Sequence, residues 1–278
     1  MTAVLKQKTP IIHISAEAVP AQAIADILNG ARLYELWIRF AAHDIRQRFR
    51  RSVLGPFWLT LSMGMMVATL GFLFSTVFQQ DVAKLLPFIA TGLIFWGLLT
   101  NCINEGATVF ILAESNIRNI PMPLSVHFYR MMARNVMVWV FNMVIYLVLV
   151  VWFELMPGWN ALLVIPGFIL FLTNAAWMSL AVGVLSTRYR DVPQVIVNVI
   201  QVVFFLTPIF WSPEILPNRP AFVVFNPLYH LLEIVRAPLL GEVVSVMSWS
   251  FCLGMTAVGL GFTAWLYRRA HARIPYWV

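Results

Sequence analysis

Side chains that could do chemistry are sparse in the apolar parts of this sequence. Glu105 is the one acid near the interior of an apolar run, whereas proton relays through membranes need buried titratable groups. Ser179 and Ser186 stand in apolar sequence, where a hydroxyl is usually bonded to the helix backbone. The histidines are scattered and form no ligand cluster: His13, His43, His127, His230 and His271. The sequence therefore predicts no catalytic site, proton relay, metal site or bound cofactor.

The chain also lacks a phosphate-binding loop. Its only lysines are Lys6, Lys8 and Lys84, and none follows a glycine, so the GxxxxGK[ST] motif cannot occur. If ATP drives a process here, we expect ATP and Mg²⁺ to be used by a separate ATPase polypeptide. Cys102 and Cys252 both lie in apolar runs and are interpreted as small core residues.

Composition predicts an all-α membrane protein with several spans. Hydrophobic residues make up 60% of the 278, charged residues 11%, and mean hydropathy is +0.80. Apolar runs of about 20 residues recur, which is the length that crosses a bilayer. Six transmembrane helices are predicted, at about Phe57–Phe78, Leu85–Ala107, Asn135–Phe153, Ala161–Leu185, Val192–Trp211 and Val243–Tyr267.

The sequence before the first span divides into two parts. Residues 1–30 are weakly patterned and are interpreted as a cytoplasmic tail without a signal peptide. Residues 31–51 have apolar residues at helical spacing and a basic end, which predicts an amphipathic interfacial helix against anionic headgroups. A simple basic anchor before the first span is the alternative, and both can hold. Residues 52–278 form the predicted six-span domain.

The distribution of basic residues predicts the orientation of the spans. Of the 19 lysines and arginines, eight precede the first span, three lie in the second loop, two in the fourth and three after the last span. The remaining three fall in the odd-numbered loops. Because cytoplasmic loops carry the excess of basic residues, both termini are predicted to be cytoplasmic. This topology explains the formal charge of +7 without a nucleic-acid partner.

The second cytoplasmic loop is a candidate docking site for a partner. Ser115 and Asn116 are suited to cap a short helix that Pro121 and Pro123 would end. Exposed isoleucines on such a helix would suit a groove on a partner. An ordinary helix connection is the alternative. The candidate coupling residues are Glu114, Ser115, Asn116, Ile117, Arg118, Asn119, Ile120 and Pro121.

The sequence after the fifth run is broken by prolines. Two apolar pieces, Ala221–Phe225 and Leu228–Leu240, are each too short to span a bilayer. Broken backbone at membrane depth is tolerated only against protein or a water-filled cavity, so this segment predicts the outer mouth of a pathway between spans five and six. The alternative is a periplasmic loop with two interfacial helices. The candidate gate residues are Pro208, Phe210, Trp211, Pro217, Asn226, Pro227 and Tyr229.

Aromatic residues make up 14% of the chain. Most lie near the ends of predicted spans, as expected of interfacial belts. Rings can also stack on the C–H faces of sugars, so some are candidates for a channel or for admission of a glycan. These candidates are Trp37, Phe57, Trp58, Phe95, Trp96, Trp177, Phe204 and Phe205.

Together, these motifs resemble the permease subunit of ABC-2 type exporters of lipid-linked polysaccharides, which include O-antigen, capsular polysaccharide and teichoic acid. The resemblance covers about Leu33 to Tyr267. It rests on the basic Arg50–Trp58 segment, the Ser115–Pro123 loop, the turn at Arg188–Val192, and the Thr207–Trp211 break with its later Asn226-Pro227.

The resemblance implies a homodimer in the bacterial inner membrane that pairs with two ABC ATPase subunits and exports a polyprenyl-linked polysaccharide. It also implies that Glu114–Pro121 is the coupling helix and that the two pieces after span five are re-entrant gate helices at the periplasmic mouth. The interfacial helix is then expected to help admit the lipid-linked glycan. Two alternatives remain: an ABC-2 exporter of another lipid or drug, and a membrane enzyme such as a polyprenyl-phosphate transferase. The enzyme would need acidic clusters for a metal and a diphosphate, which the sequence lacks.

Overall fold

The computed structural model describes residues 18–211 and 221–278, and every regular element in those ranges is a helix. The α-helices are α1 Ala18–Arg32, α2 Tyr34–Arg48, α3 Phe57–Phe78, α4 Val82–Leu112, α5 Glu114–Asn119, α6 Ser125–Trp152, α7 Val164–Arg188, α8 Val192–Leu206, α9 Ala221–Val224, α10 Pro227–Leu239, α11 Val246–Ala270 and α12 Ile274–Trp277. Short 3₁₀ helices, Gly158–Leu163 and His271–Arg273, precede α7 and α12.

Five of these helices are long and apolar enough to cross a membrane: α3, α4, α6, α7 and α11. The prediction of an all-α membrane protein is confirmed. The predicted fifth span, Val192–Trp211, is helical only as far as Leu206, and its 15 residues rise about 22 Å. The helix ends there because Pro208 cannot continue it and disfavours a helical conformation at the residue before it. Thr207 is accordingly extended, at φ −99° and ψ 130°.

Helix α4 is the centre of the bundle. It packs against α3, α6, α7, α8 and α10, and Phe95 and Leu99 near its middle are fully buried. A Cβ on Gly106 would lie 2.4 Å from the Cβ of Ser179, so only glycine permits this close crossing of α4 and α7. Small residues at such crossings are typical of membrane helices. The Ser179 hydroxyl donates to the Ala175 carbonyl, as expected of a structural serine.

The bundle has two dissimilar ends. At one end, the basic end, α1, α2, α5 and α12 surround the start of α6 and the last turns of α4, α7 and α11. At the other end lie residues 207–211, which follow α8, and helix α10; we call these two segments the hairpin and this end the hairpin end. There α10 packs against α4, α7 and α11 and the 3₁₀ helix before α7. The even-numbered loops and the segments before α3 and after α11 therefore share the basic end.

The segment predicted as a tail is partly a packed helix. Residues 18–32 form α1, and residues 1–17 lie outside the described residues. Asp26 of α1 accepts hydrogen bonds from the backbone N–H groups of Leu124 and Ser125, at 2.8 and 3.0 Å, and from the Tyr267 hydroxyl at 2.8 Å. These long-range contacts stabilise the start of α6, and sequence spacing alone cannot show them. The predicted helix over 31–51 is likewise divided at Leu33 and ends at Arg48.

The protonation of Asp26 follows from these contacts. Burial alone would raise the pKa of the Asp26 carboxyl, but His271, Tyr267 and Ser125 together hold this pKa below its ordinary value. The group is therefore ionised at neutral pH, where a carboxylate can accept the N–H groups at the start of α6 and complement the helix dipole.

Replacing Asp26 with alanine tests this anchor. Asp26→Ala would leave two backbone N–H groups and the Tyr267 hydroxyl without their acceptor, so we expect the free energy of unfolding to fall by about 2–3 kcal/mol. Thermal unfolding of the detergent-solubilised protein measures the change. Glu35→Ala, which removes an exposed carboxylate from α2, is the control. Equal stability of the two variants would contradict the assignment.

Candidate functional site

The chain that follows α8 turns into the interior of the bundle at the hairpin end. Ile209 is fully buried, and its carbonyl oxygen lies 2.9 Å from the position that a Cβ would take on Gly92. Gly92 is ten residues into α4, or about 15 Å along the helix. The non-helical backbone after Leu206 thus lies between helices, which is where such backbone is tolerated in a membrane protein.

Helix α10 is also inside the bundle. Leu231, Leu232, Ile234 and Val235 are all fully buried, and a Cβ on Gly167 of α7 would approach the Ile234 carbonyl to 2.4 Å. The apolar piece predicted over Leu228–Leu240 therefore forms a helix that packs against α4, α7 and α11 rather than lying on a membrane surface.

Arg236 ties α10 to the non-helical segment. The residue is 1% exposed, and its guanidinium donates to the Pro208 carbonyl at 2.8 Å and to Glu233 at 2.8 Å. Its guanidinium also lies 3.9 Å from the centre of the Phe88 ring. The arginine thus satisfies a carbonyl that the end of α8 leaves without a helical partner. Sequence analysis counted Arg236 only as a loop charge and missed this role.

Asn226 joins the end of α8 to the start of α10. Its Oδ1 accepts the N–H groups of Leu228 and Tyr229 at the start of α10, at 3.0 and 3.3 Å. Its Nδ2 donates to the Leu206 carbonyl at 3.3 Å and to the Thr207 hydroxyl at 3.1 Å. Pro227 occupies the first helical position, where no N–H is needed.

The other predicted gate residues lie close to this junction or outside the described range. Phe210 stacks on Phe74 of α3, with ring centres 4.8 Å apart, and Pro208 is buried under Arg236. Trp211 is half-buried at the end of the described segment, and Pro217 lies outside the described residues. Tyr229 is half-buried on the first turn of α10.

The predicted docking loop at the basic end does contain a short helix, α5, but its details differ from the prediction. The residue before it is Ala113, and neither Ser115 nor Asn116 caps it, because both lie inside the helix. Ile117 is half-buried against the apolar cluster beneath α5, whereas Ile120 is 50% exposed. The helix ends before Pro121, as predicted.

A charged network joins α2 to the bundle beside α5. Asp44 of α2 pairs with Arg130 and, at 3.0 Å, with Arg134, and Arg134 also reaches Glu105 of α4 at 2.8 Å. Asn135 donates to the same Glu105 carboxylate. Burial alone would raise the pKa of Asp44, but Arg130 and Arg134 hold this pKa below its ordinary value. Glu105 is therefore one member of an ion-pair network.

The predicted channel aromatics separate into three groups. Phe95 and Trp96 are buried in the core of the bundle, and Phe95 packs edge-on against Phe171 and Phe168. The half-buried rings are Trp37, which stacks on Tyr129, Trp177, which donates to Asn174, and Phe204. The exposed rings are Phe57, Trp58 and Phe205. Within this chain, Phe95 packs the core and is not presented to a channel.

Helix α8 exposes a row of amide side chains that sequence analysis missed. Gln194, Asn198 and Gln201 are spaced by four and three residues, so they lie on one face, and all three are exposed. No residue of α8 is buried. The available signal was the regular spacing of amides within an otherwise apolar helix.

A sequence model of the family described as "ABC-2 type transporter" matches residues 36–240, which is most of the chain. The chain belongs to the ABC-2 type transporter family. The matched region of this ABC-2 transporter includes the charged network, α5, α8 and the hairpin through α10.

Three curated relatives are similar to this ABC-2 transporter over most of its length, and each is named O-antigen export system permease protein RfbA. One from Klebsiella pneumoniae is 22% identical over 257 residues, covering 87% of this chain and 96% of the relative. One from Myxococcus xanthus is 21% identical over 205 residues, covering 73% and 79%. A second from Klebsiella pneumoniae is 22% identical and covers 73% and 80%.

Family membership, the five apolar helices and the similarity to permeases make this ABC-2 transporter a multi-pass membrane protein and a transport component rather than an enzyme. Membership also implies an ABC ATPase as its partner. Across residues 18–211 and 221–278, no group of three His, Cys, Asp or Glu side chains is placed to hold a metal ion.

Two substitutions of Asn226 separate its two roles. Asn226→Asp keeps an oxygen for the N–H groups of Leu228 and Tyr229 but loses the donor to Leu206 and Thr207. We expect faster amide hydrogen exchange over residues 207–211 with α10 still protected. Asn226→Ala loses the cap as well, at about 1 kcal/mol, so exchange should also rise in the first turn of α10.

Asn160→Asp is the matched control for this experiment, since Asn160 is another amide at the hairpin end and donates to Gly241. It should leave exchange over 207–211 unchanged. Wild-type exchange over 207–211 in Asn226→Asp would show that the amide does not hold the junction.

Proposed function

We propose that this chain is the membrane subunit of an ATP-driven exporter that moves a lipid-linked polysaccharide, such as O-antigen or capsule, across the bacterial inner membrane. The similarity to three O-antigen export permeases supports this cargo class. The observation that carries the proposal is the row of exposed amides on α8, Gln194, Asn198 and Gln201, in a helix that is otherwise apolar.

Amides exposed to lipid are unfavourable, because the hydrocarbon offers them no hydrogen-bond partner. The row on α8 therefore requires a hydrated surface or another protein surface. Amides can donate to and accept from sugar hydroxyls, and the exposed Phe205 continues the same face one turn beyond Gln201. A polysaccharide that passes along this face would meet both hydrogen-bonding groups and a ring.

Two copies of the chain would enclose this path. Helices α3 and α8 both pack on α4 and are poorly covered within one protomer, since α8 buries no residue and α3 buries only Val67, Gly71 and Ser75. A homodimer that pairs these faces would shield them from lipid and form a channel between the protomers. Phe57 and Trp58, exposed at the start of α3, would lie where the lipid-linked glycan is admitted.

The remaining parts of the exporter follow from the two ends of the bundle. The excess of arginine at the basic end supports a cytoplasmic location for that end and for both termini. Two ATPase subunits would bind ATP and Mg²⁺ there and act on α5 as a coupling helix. The Asp44 network would link the interfacial helix α2 to α6 and, through Arg134, to α4, the helix that leads into α5. At the periplasmic side, the segment after Leu206 and helix α10 would form the gate.

A second candidate function is export of another lipid or a drug. An apolar cavity of about 320 Å³ lies between α4, α7, α8 and α11, lined by Trp96, Trp177, Ile200, Leu228 and Phe262 among others. Such a cavity would accommodate an acyl chain or an apolar drug rather than a sugar. The two functions differ in whether the amide face or the cavity is needed for transport.

Deletion of the gene tests the cargo. We expect lipid-linked glycan to accumulate inside the cell and to disappear from the surface, because synthesis continues while export stops. Fractionation of cells followed by glycan detection in each compartment measures this, and a plasmid-borne wild-type copy should restore export. Unchanged surface glycan would overturn the proposal and make the lipid or drug exporter the leading function.

The amide face is tested by a triple substitution. Gln194→Leu with Asn198→Leu and Gln201→Leu should abolish surface glycan while leaving membrane insertion and ATPase binding intact, because a leucine face gives sugar hydroxyls no partner. The control is Val195→Leu with Val199→Leu and Val202→Leu, exposed residues of the same helix at the same spacing. If the variant of Gln194, Asn198 and Gln201 exports glycan normally, as the control variant does, α8 does not line the path.

A further inference from the structure

The segment that follows α11 folds back on the basic end and fills its apolar core. Ile274 is fully buried and Val278 is 3% exposed. Both belong to one cluster with Val184 of α7, and Ile117 of α5 packs against that cluster. Helix α12 accordingly contacts both α5 and the end of α7.

Backbone oxygens of this segment are bound by arginines from two different loops. Arg118 of α5 donates to the Val278 backbone oxygen, and Arg190, in the turn between α7 and α8, donates to the Trp277 carbonyl at 3.0 Å. The Arg188 guanidinium also lies 5.7 Å from the centre of the Trp277 ring. Residues 271–278 therefore link α5 to the α7–α8 turn, although these loops are about 70 residues apart in sequence.

The outer surface of this assembly carries exposed rings and apolar side chains beside arginines. Tyr276 is 86% exposed, Tyr189 is 61% exposed and Ile120 is 50% exposed. Tyrosine and arginine are the residue types enriched where proteins bind one another, and an exposed tyrosine on an ordered helix loses little entropy on binding. The nearby arginines would suit a partner groove with an acidic rim.

We propose that residues 271–278 form part of the surface on which the ATPase subunit docks, with Tyr276 as a contact residue and the rest of the segment holding α5 and the α7–α8 turn in one body. This proposal rests on the ATPase partner and on the cytoplasmic location of the basic end in the proposed function. The ATPase is the partner expected on this surface because the segment joins α5 and the α7–α8 turn, and both lie at the end of the bundle that the ATPase can reach.

Cysteine labelling of the intact permease tests the contact. Both native cysteines, Cys102 and Cys252, are fully buried, so they contribute little background. A Tyr276→Cys variant in lipid nanodiscs should react readily with a water-soluble maleimide, and adding the purified ATPase subunit should slow its labelling about tenfold. Trp159→Cys is the matched control, since Trp159 is 88% exposed on the segment before α7 and lies at the hairpin end. Its labelling should not respond to the ATPase.

Binding and stability are measured on a second variant. Tyr276→Ala should bind the ATPase about tenfold more weakly than wild type, with unchanged thermal unfolding, because the exposed ring supports little of the fold. Wild-type binding by Tyr276→Ala would overturn the proposal. Slow labelling of Tyr276→Cys without ATPase would also overturn it, because lipid would then cover this face. Export of glycan to the cell surface is measured separately. If export is normal while either of these results is obtained, the docking surface is wrong and the proposed function still stands.

Discussion

The bundle depends on satisfying the non-helical backbone that lies buried between its helices. Every carbonyl and N–H in the hydrocarbon region needs a partner, and the chain after Leu206 gives up the helical ones. Arg236 supplies a donor to the Pro208 carbonyl, and Asn226 supplies one to the Leu206 carbonyl. These bonds require α10 to lie inside the bundle, which in turn requires glycine at positions 92 and 167, where neighbouring backbone approaches too closely for a side chain.

The burial of Arg236 is acceptable for the same reason. An isolated charge in this environment would be costly, yet the guanidinium has a carbonyl, a carboxylate and the face of Phe88 within reach. The arginine therefore fixes the relative position of three elements, α4, α10 and the end of α8. Loss of Glu233 would leave the buried guanidinium without its carboxylate, and loss of the Arg236 side chain would leave the Pro208 carbonyl without its donor.

Much of the fold could be predicted from sequence because membrane helices are specified by local apolar length. The five long helices, the end of α8 at Thr207-Pro208 and the start of α10 at Asn226-Pro227 all follow from short-range rules. Long-range contacts do not follow from such rules. Asp26 looked like part of a tail because its partners are about 100 and 240 residues away. Ser115 and Asn116 looked like caps, but the preceding helix α4 runs to Leu112 and leaves them inside α5.

The sequence predicted which segments form the candidate site, but not which of their side chains are buried or exposed. Sequence identified the hairpin, the α5 loop and the abundance of aromatic rings, but it could not tell a buried ring from an exposed one. Phe95 fills the core, whereas Phe205 is exposed. The spacing of the amides along α8 places them on one face of the helix, but only the structure shows that this face is exposed rather than packed against the bundle.

The continuity of α4 has a mechanical consequence. Its 31 residues make a rod of roughly 46 Å that contacts Ile209 at Gly92, about 15 Å from one end, and leads into α5 after one residue, Ala113, at the other end. Gly92 lies 20 residues, or about 30 Å, from the α5 end of this rod, so a tilt of about 5° about that end displaces Gly92 by about 3 Å. That is more than half the spacing between packed side chains, so a small rotation imposed at α5 would change the contact between Gly92 and Ile209.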